Sequence, residues 1–407
     1  MSLVKNLAVM RKRKGTPSNY SDVMSTSHGW EGGDAGSYGE YMKSRADGVG
    51  SSRNHLERLI AQAAADATAP CCRVALIGDA FVDFNLSGLT RLPSWGTDVA
   101  CAGVSMLPGG SCANTARQFG SLAGVSVSTS FFGAVGDDAL GSFFVRALSD
   151  EGLLVGTESS LIRIPGVPQS CCTILAGPSD RAMISCYTSN ERLTIEPCIS
   201  ALLGESAGLP PLSLLHFGGY FNCVGLHDDA TLTLIAELKQ RHATLITMDP
   251  QHDANEKWTG QNSHLARLFP LLDVFMPNEV EIVHVAAHAC PAADGALPTP
   301  EAALELLAAH QPHLLIVLTL GAQGLKAARG PTERWAARAL SVQFVDATGA
   351  GDACAAGFLV QYLADPNDVE AALRAGAAAG ALSVSVAGAC ERPIAREAWE
   401  SLKARSI

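Results

Sequence analysis

From Arg73 onward, short apolar runs alternate with helical stretches, and this alternation restricts the fold more than any other feature of the chain. The runs are Val74 to Ile77, Val127 to Phe132, Leu214 to Phe217, Thr244 to Met248, Val274 to Met276 and Leu314 to Leu318. Runs of this length bury both faces only as strands of a covered sheet, and the helices between them supply the cover. The pattern predicts an α/β protein: a three-layer α/β/α sandwich around a mostly parallel sheet. Ligands of such sheets bind beyond the carboxyl ends of the strands, so polar and glycine residues just after each run are the candidates for function.

Two segments interrupt the alternation. Residues 84–108 and 161–188 read as strands and turns with no helix between them. They predict a small second sheet inserted in the main body. That sheet is either a lid that keeps water from a reacting group or an ordinary edge hairpin.

Five glycine or carboxylate sites follow strands. The most specific is Val345 to Phe358, which contains Asp346-Ala-Thr-Gly-Ala-Gly-Asp352 and reads as a strand, a tight turn and a helix start. Backbone N–H groups of Gly349, Ala350 and Gly351 at a helix N-terminus form an anion site. A carboxylate at Asp352 repels a bound anion, yet beside a phosphate it suits a general base. Read alone, Asp352 is as well explained as a helix N-cap. After the first run, Asp83 is placed to accept hydrogen bonds from ligand hydroxyls or to make a turn. Gly109 and Gly110 open a helix running to about Leu122, where paired glycines let a polyol approach and Asn114 offers donor and acceptor; Ser111 as an N-cap explains the same stretch. Asn278 and Glu281, three apart, share a helical face, and Glu281 could hold a hydrated Mg2+ or simply begin a solvated acidic helix. Thr319, Gly321 and Gly324 form a loop for a nucleotide, or a hairpin turn.

Composition narrows the classes. With 407 residues, 47% hydrophobic and 17% charged, the chain is globular, and its net charge of −11 argues against a nucleic-acid partner. Twelve cysteines are scattered without any Cys-x-x-Cys pair, which points to free thiols in a reducing, cytoplasmic setting. No apolar run reaches the roughly 18 residues of a membrane span. Residues 1–70 carry the basic run Arg11 to Lys14, which is also compatible with organelle import, and then a polar stretch expected to be a flexible extension with a helix over about 54–67. The expected α/β body covers 71–400. Neither a Gly-x-x-x-x-Gly-Lys-Ser/Thr loop nor a His-Glu-x-x-His motif occurs, which removes P-loop and zinc-protease readings.

Taken together, the motifs resemble those of PfkB, or ribokinase-like, carbohydrate kinases, in the family's order, from about Arg73 to Ile394. Asp346 to Asp352 resembles the family's C-terminal signature; Gly109, Gly110 and Asn114 resemble its sugar motif, and Asn278 with Glu281 its Asn-x-x-Glu motif. Thr319 to Gly324 is similar to its nucleotide loop, and Gly133 to Gly141 to a structural turn. The resemblance implies ATP-dependent phosphorylation of a primary hydroxyl of a sugar. Asp352 would be the base, and Gly349, Ala350 and Gly351 the anion hole. Asp83, Gly109, Gly110 and Asn114 would hold the sugar; Thr319, Gly321, Gly324 and Asn278 would serve ATP, with Mg2+ reached from Glu281 through water. It also implies K+ or another monovalent cation near Asp346. A homodimer formed through the lid is expected on separate grounds, since an exposed sheet edge and face invite pairing. A nucleoside kinase of the same fold and a non-catalytic sugar-binding regulator are the alternatives. Ser111 and Cys112 stand where ribokinases carry Lys-Gly, and Gly376 stands where they often carry an adenine-contacting Asn.

Overall fold

The computed structural model describes residues 72–405 apart from 157–159, 178–180, 205–209, 261–262, 293–294 and 387–391. The expected extension with its 54–67 helix lies outside the described residues. Each of the six runs forms a strand. β1 (Cys72–Gly78) and β8 (Leu212–Gly218) are buried along their whole length, as continuous apolar sequence requires of strands covered on both faces.

Nine strands form the main sheet. Between β1 and β8 come β2 (Phe81–Ser87), β3 (Gly103–Gly109), β4 (Val127–Gly136), β5 (Leu161–Ile164), β6 (Cys171–Ala176) and β7 (Arg181–Cys186); β9 (Leu245–Asp249), β10 (Val274–Phe275), β11 (Leu315–Thr319), β12 (Leu325–Arg329) and β13 (Glu333–Ala337) follow. The sheet order is β13-β12-β11-β10-β9-β8-β1-β4-β5, parallel except for the antiparallel β11-β12-β13 edge. Helices complete the three-layer sandwich. The longer ones are α1 (Ser111–Ala123), α2 (Ala139–Glu151), α3 (Asp229–His242), α4 (Glu279–Ala289), α5 (Pro300–His310), α6 (Ala350–Ala364), α7 (Val369–Val384) and α8 (Arg396–Ala404). Small residues let α6 and α7 meet closely: a Cβ on Gly357 would stand 2.7 Å from the Ala375 carbonyl oxygen. The last helix docks by Trp399, whose buried indole donates to that same oxygen at 2.9 Å, so the ordered body runs past residue 400.

The small sheet has the order β3-β2-β6-β7. Its strands begin at Phe81, earlier than the expected start at 84. Leu161–Ile164, which was expected in the small sheet, instead pairs in parallel with Gly133 to Gly136 of β4 and extends the main sheet. The reason is local. The β4–α2 turn is held by Asp138, whose carboxylate accepts from Gly141 N at 2.8 Å and from Gln169 N at 3.0 Å, fixing the chain after β5 beside β4.

Candidate active site

The turn that opens α6 is built from the Asp346 carboxylate and one glycine. Asp346 Oδ1 accepts from Thr348 N at 2.8 Å, and Gly349 takes the left-handed conformation (φ 73°) as N-cap. Asp352 is therefore not the N-cap: it is the third helical residue, 7% exposed, near the positive end of the helix dipole. Ala350 N–H donates to Ala347 O at 3.2 Å, so of the three expected anion-hole donors it is already engaged. Gly351 is exposed, and a Cβ there would meet nothing within 4 Å. The segment before the turn is not the strand expected from its apolar residues. Val345 N–H donates to Val384 O at the end of α7, with no strand beside it, and Phe344 is 68% exposed.

Across from α6, the start of α1 meets Asp352 directly. Ser111 Oγ donates to Asp352 Oδ1 at 2.9 Å and Asn114 Nδ2 to Oδ2 at 3.0 Å. The Asn114 amide is oriented by Arg117, whose Nη1 donates to Asn114 Oδ1 at 3.4 Å while its Nε holds Glu151 Oε2 at 2.8 Å. Gly110, with φ 100°, is the N-cap of α1, so the capping role read for Ser111 is replaced by a contact to the Asp352 carboxylate. The paired glycines have a definite steric use. A Cβ on Gly109 would lie 2.0 Å from Asp83 Oδ2, and one on Gly110 2.7 Å from the Asp79 carbonyl oxygen.

Five carboxylates converge here. Burial pushes Asp352, Asp83 and Glu281 each up to about 7 and Asp79 to about 6, and carboxylate neighbours add to the rise: Asp79 acts on Asp352, Asp79 and Asp352 on Asp83, and Asp352 on Glu281. Asp249, at the end of β9, is raised further by burial and by Glu281 and Asp352. Such a cluster relaxes when a cation enters. A hydrated ion such as Mg2+, which keeps several waters and needs few carboxylates, fits this donor set. Glu281 is 2% exposed and not part of a solvated helix start: with Asn278 it forms a capping box, Oε2 accepting from Asn278 N at 2.9 Å while Asn278 Oδ1 accepts from Glu281 N at 3.0 Å.

Thr319 joins this end of the sheet by a parallel bridge to Asn278. Beyond it, Gly321 (φ 52°) and Gly324 (φ 96°) turn the chain into β12, so the loop is a hairpin. Gly324 is structural, since a Cβ there would lie 2.1 Å from the Ala337 carbonyl oxygen, whereas Gly321 faces open space. No described hydrogen bond ties this loop to the carboxylates. Gly376 packs α7 on α6: its Cβ position lies 3.0 Å from the Cys354 carbonyl oxygen, so a side chain there would press the two helices apart by a few tenths of an ångström.

Sequence reasoning had not singled out Asp79, Ser111, Arg117 or Asp249 as site residues. Asp79 and Asp249 each directly follow or end a strand, the same signal that drew attention to Asp83 and Asn278. Asp79 Oδ1 accepts from Cys112 N and Oδ2 from Asn222 Nδ2, both at 2.8 Å, which anchors the start of α1 to two strand ends.

A family model described as pfkB family carbohydrate kinase matches residues 73–395. A fructokinase from Escherichia coli is 26% identical over 360 residues, covering 81% of this chain and 99% of that protein. A ribokinase from Arabidopsis thaliana, solved with ribose and ATP, superposes with a TM-score of 0.64 at 22% identity, covering 82% of this chain and 99% of its own. A protein assigned as ribokinase II from E. coli, solved with ATP and Mg2+, gives 0.65 at 20% identity, with coverage of 82% and 99%.

Proposed function

The chain belongs to the pfkB family of carbohydrate kinases, and on that premise we propose that Asp352 is the general base of an ATP-dependent transfer to a primary sugar hydroxyl. The observation that carries this reading is the buried Asp352 carboxylate at the N-terminus of α6, held through both oxygens. Asp352 accepts the hydroxyl proton as the sugar oxygen bonds to the γ-phosphorus and the bond to the ADP oxygen breaks. N–H groups at the Gly349–Gly351 turn, Gly351 first among them, donate to charge on the transferring group. Asp83, on the inner face of the small sheet, together with Gly109, Gly110 and Asn114, holds sugar hydroxyls. Glu281 and Asn278 hold Mg2+ through water, and this ion supplies charge neutralisation at the phosphates. Thr319 and the open side of Gly321 line the nucleotide, with Gly324 shaping the turn. K+ would draw on Asp346, whose Oδ2 makes no described hydrogen bond.

The small sheet also carries the proposed homodimer. Register places Ile184, Thr173, Phe84 and Met106 in one row on the face opposite Asp83. Ile184 is 67% exposed there, and Val104 and Met106 extend the apolar strip. Ten described cysteines are free thiols, which supports a cytoplasmic setting; among the described residues no helix is long and apolar enough to cross a membrane.

The test is phosphorylation of a panel of D-fructose, D-ribose, 2-keto-3-deoxygluconate and adenosine with MgATP and K+, read by product mass. A sugar monophosphate is expected. Product from adenosine alone would replace the sugar by a nucleoside, and no product at all would overturn the reading.

A further inference from the structure

Ser111 stands where ribokinases carry lysine, yet it is placed against the base. It is the first residue of α1 and is buried; with Gly110 as N-cap, its side chain is not spent on capping. Its hydroxyl has one proton, and that proton goes to Asp352 Oδ1. Three further contacts fix its position: Cys112 N to Asp79 Oδ1, Asn222 Nδ2 to Asp79 Oδ2, and Thr115 Oγ1 to the Asp352 carbonyl oxygen at 3.4 Å. These 2.8 Å bonds to Asp79 hold the α1 start level with the base. We infer that Ser111 is a positioning residue for the transfer: with Asn114, its hydroxyl clamps both oxygens of Asp352, sets the carboxylate plane and keeps the base ionised until the acceptor arrives.

The inference rests on the kinase reading of Asp352 but makes a separate claim about it. The carboxylates coupled to Asp352 oppose its charge. They are Asp79, Asp83, Asp249 and Glu281, and Arg117, whose guanidinium reaches Asn114, already holds Glu151. On its own helix, the α6 dipole favours the anion, but Ser111 and Asn114 are the two side chains that donate to it. Hydrogen bonds to a charged form lower its pKa against burial, so these donors offset the neighbours. Removing the Ser111 hydroxyl leaves Oδ1 without a protein donor while Asn114 and the fold around it stay in place. The base should then keep its proton to higher pH and lose its fixed plane.

The experiment titrates the base directly in the full chain. Protein labelled with 13C at aspartate Cγ is followed by NMR from acid to alkaline pH, with Asp352→Asn identifying the resonance. In Ser111→Ala the Asp352 midpoint should rise by about one pH unit, the tenfold change that a lost charge-assisted bond implies. Ser111→Thr, which keeps the hydroxyl, should restore the wild-type midpoint. With D-fructose and MgATP, the acid limb of kcat/KM in Ser111→Ala should move the same way while KM for ATP is unchanged. An unmoved or lowered midpoint in Ser111→Ala, with circular dichroism matching wild type, overturns the inference. If wild type phosphorylates no sugar, the kinase reading fails, and the midpoint still decides the role of Ser111.

Discussion

The two sides of the candidate site are built by opposite means. On the acceptor side, Asp79, Asp83, Ser111, Asn114 and Asp352 are charged or polar side chains packed into close contact, with each glycine filled by a neighbouring carboxylate or carbonyl group. On the donor side, the Gly349–Gly351 turn and the Thr319–Gly324 hairpin offer mostly backbone, and Gly321 and Gly351 face empty space. The acceptor side spends burial and hydrogen bonds to fix one geometry before any ligand arrives. On the proposed reading, the donor side leaves room for a large anion and relies on N–H groups that any small residue can present. A substitution at Gly109 should therefore act through the protein and one at Gly351 only through the ligand.

The largest test of that contrast is Gly351→Val. No protein atom lies within 4 Å of the new Cβ, so the melting temperature should stay within about 1 °C of wild type, while kcat/KM for ATP falls by about 10², because the isopropyl group keeps the phosphoryl group from an N–H that valine itself retains, an effect the size of losing one oxyanion donor. A matching loss of stability would show that the donor side is packed after all. Gly109→Ala should act in the reverse way. The new Cβ would collide with Asp83 at 2.0 Å, costing about 1–3 kcal/mol of stability by calorimetry and raising KM for the sugar by about tenfold. The smallest effect concerns pH. Asp83, Glu281 and Asp352 are raised to about 7 and Asp79 to about 6 in the folded state, above their unfolded values. Between roughly pH 4 and 7 the folded protein then binds more protons than the unfolded chain, so stability falls as pH rises through this window. Millimolar Mg2+, which neutralises the ionised cluster, should raise the melting temperature by about 2 °C at pH 8 and less at pH 5; an equal shift at both would separate the ion from the carboxylates.

Fold class was readable because apolar runs such as Val74 to Ile77 have one stable use in a covered parallel sheet. The β12–β13 edge was not singled out in advance, because Leu325–Arg329 and Glu333–Ala337 mix charged and apolar residues in a hairpin exposed on one side. Leu161–Ile164 was misassigned for a different reason. A short strand pairs with whichever edge its flanking turn presents, and the Asp138 contacts that decide this join residues about thirty apart. In the site, Asp352 and Asn278 could be found from their motifs. The Ser111–Asp352 bond could not, since it links residues 241 positions apart and each, taken locally, reads as a helix cap.

Asp352→Asn tests the central claim most directly, because it keeps the shape and the Ser111 contact while removing the proton acceptor. The account predicts that kcat falls by about 10² or more, with calorimetric affinities for sugar and MgATP close to wild type. Turnover comparable to wild type in that variant would contradict it.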